Sequence, residues 1–400
     1  MSPSPIELAA PALIPPILNT QPLPEYGHDR LDYGMTIGIE RTRGGRLWAC
    51  RVGGGDNEKS FFVLATSDDN GASWSDSRLV IDPHDSSLPL DRRTIVGNLW
   101  LDPRGRLWLF FDQAMTYFDG RAGTWFTRCD NPDADTPAWT PPVRIWHGCS
   151  LNKPIVLSSG EWLLPVSLWN REKIHDPFKE AFHELDHLRM ANVLVSTDEG
   201  NTWQRRGGAA FPHPEFDEPQ LIERRDGSVW MTARTHYGLW ASVSKNGGQS
   251  WSQPEPAAIA NANARHFLRR LQSGRLLLVK HGSRPDECPG VAYAPGARSF
   301  LTAFLSDDDG ATWNGSLILD ERADVSYPDG TQAPDGTIFV SYDYNRDTRG
   351  EILLARFTEK DVIAGHCVSP NSALRLLISR ANPEAVAARH ARRPQPRCAS

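Results

Sequence analysis

The chain has 400 residues, 23% charged and 40% hydrophobic, a composition that buries a large core and excludes a disordered chain. Acidic residues outnumber basic ones by 49 to 43, a formal net charge of −6, which weighs against a nucleic-acid binder carrying a basic stripe. Six cysteines without a Cys-x-x-Cys pair argue against a disulfide framework and a cysteine zinc site, and nothing calls for a cofactor.

Residues 1–25 lack a basic n-region and are cut by prolines, so they do not read as a signal peptide. No apolar run reaches the roughly 18 residues of a membrane span. The expectation is a soluble, cytoplasmic protein: an N-terminal extension over 1–25, one domain over 26–380, and a loose tail over 381–400 rich in Ala, Arg and Pro.

Glycine-turned hairpins begin at residue 41. In chain order they are RTRGGRLWACR (41–51), LDPRGRLWLFF (101–111), VLSSGEWLLPV (156–166), ERRDGSVWMTAR (223–234), LQSGRLLLVKH (271–281) and QAPDGTIFVSYD (332–343). Their turn glycines, from Gly45 to Gly336, are 60, 55, 67, 47 and 62 residues apart. Four hairpins are followed by a box, Ser-x-Asp-x-Gly-x-x-Trp: SDDNGASW (67–74), STDEGNTW (196–203), SKNGGQSW (244–251, with Asn246 for the Asp) and SDDDGATW (306–313). A degenerate copy stands near RCDNPDADTPAW (128–139). In the box, the Asp accepts backbone N–H bonds across a tight turn, the Gly supplies a positive φ, and the Trp folds back on neighbouring strands. Each box follows an apolar strand such as FFVLAT and caps a hairpin. This period is that of a four-stranded propeller blade, so six hairpins predict an all-β, six-bladed β-propeller.

Let the strands of a blade be A to D, with A innermost. The glycine hairpin joins A to B and the box joins C to D, so both lie on one face. Functional groups then belong to the opposite face, just after a B strand or just before an A strand. That rule collects Arg51, Asp112, Trp169, Arg234, His281 and Tyr344-Asn345-Arg346 after B strands. Before A strands it collects Arg92, Arg93, Lys153, Glu218, Arg265 and Tyr327. Aromatic walls with a few charged groups are what a sugar pocket requires.

These repeats resemble the sialidase-type Asp-box, or BNR-repeat, propellers, over roughly residues 30–360. The stretch EPQLIERRDGSVWMTAR (218–234) is similar to the sialidase signature Glu-x4-Glu-x2-Asp-Gly-x-Leu-x4-Arg, with Val229 at the Leu. The resemblance implies that Glu218 polarises a tyrosine nucleophile and Arg234 holds a substrate carboxylate. It assigns the nucleophile to Tyr327 in VSYPDG, and the acid/base to Asp56 on the glycine-rich loop ACRVGGGDNEKS (49–60). Arg298 resembles the third arginine of the sialidase triad, with Arg265 as a competitor. Where sialidases carry Tyr-Arg-Ile-Pro, this chain has Tyr33-Gly34-Met35-Thr36. Glycine cannot replace an Arg–carboxylate clamp. Either Arg92 or Arg93 substitutes for it, or the sugar is not a sialic acid but another acidic or deoxy sugar. Arg51, Lys153 and His281 complete the expected substrate ligands.

The polar insertion 170–190 contains the zinc-protease pattern His183-Glu184-Leu185-Asp186-His187, but Asp186 inside it and the lack of a third ligand favour a helical lid or subunit contact whose histidines line the pocket. The implied function is a retaining, sialidase-like exo-glycosidase acting on a glycan, with a homo-oligomer open. The alternative is a non-catalytic carbohydrate-binding propeller, or a lyase acting on uronates.

Overall fold

The computed structural model describes residues 3–290, 294 and 296–392. Six antiparallel sheets form the blades. Blade four shows the plan, with A at Pro214–Glu223, B at Val229–Thr235, C at Gly238–Ser244 and D at Glu255–Pro256. The strands of each blade follow one another in the chain, interrupted only in blade two by Ala114–Met115, and the last blade uses Val325–Gln332, Ile338–Tyr344, Glu351–Phe357 and Ala373–Ser379. The sequence expects four strands per blade. Blade one has a fifth, because Leu18–Asn19 pairs with its outer edge. A two-stranded ribbon, Arg92–Arg93 with Ala114–Met115, lies outside the blades.

The blades are glued by apolar side chains alternating from both faces of each sheet. Trp100, Trp108, Phe110, Trp162 and Leu164 form one such layer between blades two and three. The boxes behave as turn chemistry demands. Asp69 Oδ1 accepts from Ser73 N at 2.9 Å, Gly71 N donates to Ser67 Oγ at 2.9 Å, and Gly71 has φ +85°. In the third blade Trp203 Nε1 donates to Gly200 O at 3.1 Å. Blade six has no box. Its C–D connection is a helix, Glu359–Ala364, where Asp361 takes over by accepting from Val368 N and Ser369 N.

Two expectations need correction. The tail is not loose from 381: Pro383–Arg392 form a helix whose Val386 is buried, and Arg389 reaches Asp347 and the Asp32 carbonyl. Residues 393–400 lie outside the described residues. The insertion 170–190 is helical as expected, in two 3₁₀ turns, Arg171–Lys173 and His183–Leu188, but His183 and His187 are exposed to solvent rather than lining a pocket. His183 pairs with Asp186 at 3.1 Å.

Candidate active site

The A strands of blades four and six are bulged where they enter the ring. Ladder register shifts between Pro214 and Asp217, between Asp217 and Gln220, and between Ser326 and Asp329. Phe216, Asp217, Glu218 and Tyr327 have φ of 61°, 55°, 46° and 56°, a left-handed conformation costly for residues with a Cβ. A bulge leaves one residue unpaired and re-aims its side chain. Here the bulges bring Glu218 and Tyr327 into one cavity of about 440 Å³ on the face opposite the boxes.

Three groups meet at the centre. The Tyr327 hydroxyl donates to Glu218 Oε1 at 2.9 Å, the pairing expected from their places in the ring. Arg234 Nη1 donates to the same oxygen at 2.8 Å, and its Nε donates to Asn263 Oδ1 at 2.6 Å. Burial, then the Glu218 charge, pushes the Tyr327 phenol above its ordinary range, so it is protonated at neutral pH.

Arg298 lines the same cavity, and its Nη2 donates to Asn263 O at 3.0 Å. Its pKa is lowered, first by burial and then by the nearby charges of Arg234 and Arg346. Arg346 also lines the cavity. It sits 4.5 Å over the Tyr327 ring, pairs with Asp343 at 3.2 Å, and approaches Asp56 at 3.7 Å. Asp56 stands at the rim, its side chain 45% exposed, after Gly54 and Gly55 at φ +82° and +118°. One wall is aromatic. Trp169 stacks with Tyr117 at 6.0 Å and meets Phe216 edge-on at 4.9 Å.

Of the expected site residues, Tyr327, Glu218, Asp56, Arg234 and Arg298 line the cavity. The other six do not, because pleat and register turn them elsewhere. Arg51 still lies inside strand B of blade one and points between blades one and six, beside Ile352 and Ile378. Arg92 reaches the carbonyls of Pro83 and Pro11, and Arg93 is consumed by Asp112 and the Tyr117 carbonyl. Neither supplies the missing arginine. Lys153 is on the ring axis, bound to Glu40 and Asp329 at 3.2 and 3.0 Å. Arg265 lies beneath Tyr327, 5.9 Å from its ring, on Asn152 and the Leu151 and Ile37 carbonyls. His281 is buried against Val325 O at 2.8 Å, and burial lowers its pKa to about 3. His183 and His187 are also absent from the lining, contrary to expectation.

The site residue missed was Arg346, which stood among the mouth positions but not among the expected ligands. Its signal was the gap at Gly34. A Cβ on Gly34 would lie 2.3 Å from the Gly350 carbonyl oxygen, so the loop 345–350 fills the space a longer side chain would need. That loop delivers Arg346 instead.

The BNR repeat-like domain matches residues 45–340. No curated protein sequence matches the chain. Similar solved structures include a protein of unknown function from Dyadobacter fermentans, 15% identical, with a TM-score of 0.58 over 79% of this chain and 92% of that one. The intramolecular trans-sialidase from Ruminococcus gnavus, in complex with oseltamivir carboxylate, is 14% identical, with a TM-score of 0.59 over 84% and 96%. The leech intramolecular trans-sialidase, complexed with 2,7-anhydro-Neu5Ac, is 12% identical, with a TM-score of 0.60 over 83% and 69%. At such identities the likeness is one of fold.

Proposed function

We propose, from the premise that this chain belongs to the BNR repeat-like domain family of sialidase-like six-bladed propellers, that it is a retaining exo-glycosidase releasing a terminal sugar that bears a carboxylate. The observation that carries this reading is the hydrogen-bonded trio of Tyr327, Glu218 and Arg234 in a cavity that also holds Arg298 and Arg346.

Tyr327 Oη attacks the anomeric carbon while its proton passes to Glu218, and the glycosidic C–O bond breaks. Asp56 protonates the departing oxygen from the rim, then deprotonates the water that cleaves the glycosyl–tyrosine bond. A neutral phenol suits an anionic sugar, because a carboxylate nucleophile would repel it. Tyrosine nucleophiles are the sialidase departure from the two-carboxylate scheme. Burial and the nearby charges of Arg234 and Arg346 disfavour the charged form of Arg298, and a bound carboxylate relieves that repulsion. The Trp169–Tyr117 wall gives the sugar ring an apolar face.

A panel of aryl glycosides, including sialosides, uronides and rhamnosides, tests this. An acidic glycoside should be hydrolysed with retention at the anomeric carbon. Tyr327→Phe should lower kcat about 10²–10⁴-fold while changing stability by less than about 1 kcal/mol, since Glu218 keeps Arg234. Full activity in Tyr327→Phe would sink the mechanism, and a preference for neutral rhamnosides would sink the carboxylate assignment.

A further inference from the structure

The A strands enter the ring at the catalytic mouth and leave it on the box face. There the ends of A strands from blades one, two, five and six frame a second cavity of about 240 Å³. Its charged lining is Glu40, Arg41, Arg269 and Arg270. Two of these are already matched. Glu40 receives Lys153 at 3.2 Å and the Thr331 hydroxyl. Arg270 pairs with Asp309 at 2.7 Å and binds the carbonyls of Glu223 and Gly274.

The other two are not matched. Among the described residues, Arg269 makes one side-chain hydrogen bond, from Nη1 to Pro154 O at 3.0 Å, and has no ion pair. Among the described residues the Arg41 guanidinium has no direct side-chain hydrogen bond or ion pair, with Asp335 as a longer-range counter-charge, and its Nε is buried without an acceptor. Leu101, Phe267 and Leu277 stand beside them, with Gln272, Thr331 and Gln332 completing a mixed lining. The charged lining is thus one acid and three arginines, and neither Arg41 nor Arg269 makes a direct ion pair, although Glu40 and Asp329 attract Arg269 at longer range, so the cavity carries excess positive charge and fork donors without a carboxylate. An oxyanion answers both, because its oxygens match the fork and its charge cancels the excess.

We propose that this box-face cavity is a binding site for a small oxyanion, a sulfate, phosphate or carboxylate group, held between Arg41 and Arg269. The group is either a free ion or an ester carried on a sugar, and the chemistry of recognition is shared. The site lies at the opposite end of the ring from Tyr327 and does not depend on the catalytic reading.

Titration calorimetry on the whole protein with inorganic phosphate, at constant ionic strength set with chloride, tests the site. Arg234→Gln at the other mouth should leave one phosphate bound with unchanged affinity, whereas Arg41→Gln/Arg269→Gln should weaken it about tenfold or more. Arg269→Lys, which keeps the charge and loses the fork, should fall between. Glucose 6-phosphate against glucose separates the sources: equal or tighter binding than phosphate assigns a sugar ester, and weaker binding assigns the free ion. Unchanged binding in the double variant, or loss of all binding in Arg234→Gln, would overturn the proposal. If the double variant fails to fold, selenate soaked into crystals of the unmodified protein decides: an anomalous peak between Arg41 and Arg269 supports the site, and peaks confined to the catalytic mouth reject it.

Discussion

Asp217, one residue before Glu218, is a stability cost built into the site. Its carboxyl is buried, accepts one hydrogen bond from Ser167 Oγ at 2.7 Å, and has Oδ1 without a partner. Burial, and then the Glu218 charge, raises its pKa to about 7. The sign follows from linkage. Between about pH 4 and pH 7 the native state keeps a proton that the unfolded chain has released, so stability falls as pH rises through that window. The loss is on the order of 4 kcal/mol and should disappear from the pH profile of urea unfolding in Asp217→Asn. Arg51 is a second cost. All three of its guanidinium nitrogens are buried without an acceptor, and burial pulls its pKa down to about 9. Arg51→Met keeps the length and removes the charge, and should raise stability by about 1–3 kcal/mol at pH 7, read as a higher urea midpoint at unchanged slope.

Among elements, the boxes and hairpins were legible because their chemistry is local: a Ser, an Asp and a Gly at fixed offsets determine a turn without reference to the rest of the chain. Asp198 illustrates this by accepting from Thr202 N at 2.9 Å and from the Thr202 hydroxyl at 2.6 Å. Asp198→Ala should cost about 1–2 kcal/mol in unfolding free energy and leave kcat and KM unchanged, because the box is on the face away from Tyr327. The entries into the A strands were less legible. Chain order brought Glu218 and Tyr327 to the entries of blades four and six, separated by one blade. The bulges and left-handed residues that aim them depend on neighbouring strands and leave no local pattern. The same gap explains Arg51, Lys153 and Arg265. Lys153 and Arg265 stand just before their A strands as expected and Arg51 falls short of the end of its B strand, but a pleat reverses direction at every residue, so an error of one sends the side chain between blades or down the axis. Arg346 escaped because its place is decided by a backbone contact between Gly34 and Gly350, far apart in the chain.

At the scale of the whole molecule, the ring is joined between its last and first blades by side chains rather than by a shared strand. Asp329 Oδ2 accepts from Ile39 N at 2.9 Å, Asp343 Oδ2 from Thr36 N at 3.3 Å, and Asn70 O from Arg356 at 3.0 Å. Asn382 then returns to the start of the propeller, its backbone N–H donating to Leu31 O at 2.7 Å and its side chain to Asp29 O at 2.7 Å. Since no blade borrows from another, the cyclic order of the blades carries the fold and the starting point does not. The chain could be read from any blade. A circular permutant that keeps residues 1–28 and the helix Pro383–Arg392, joins the native ends through a flexible linker, and opens at Pro212 between blades three and four, should refold cooperatively to the same six blades, at a cost below about 3 kcal/mol from the altered loop closure. Aggregation, or a broad non-cooperative melt, would mean that the junction of blades six and one needs its native connectivity, and that the repeats are less interchangeable than their hydrogen bonding suggests.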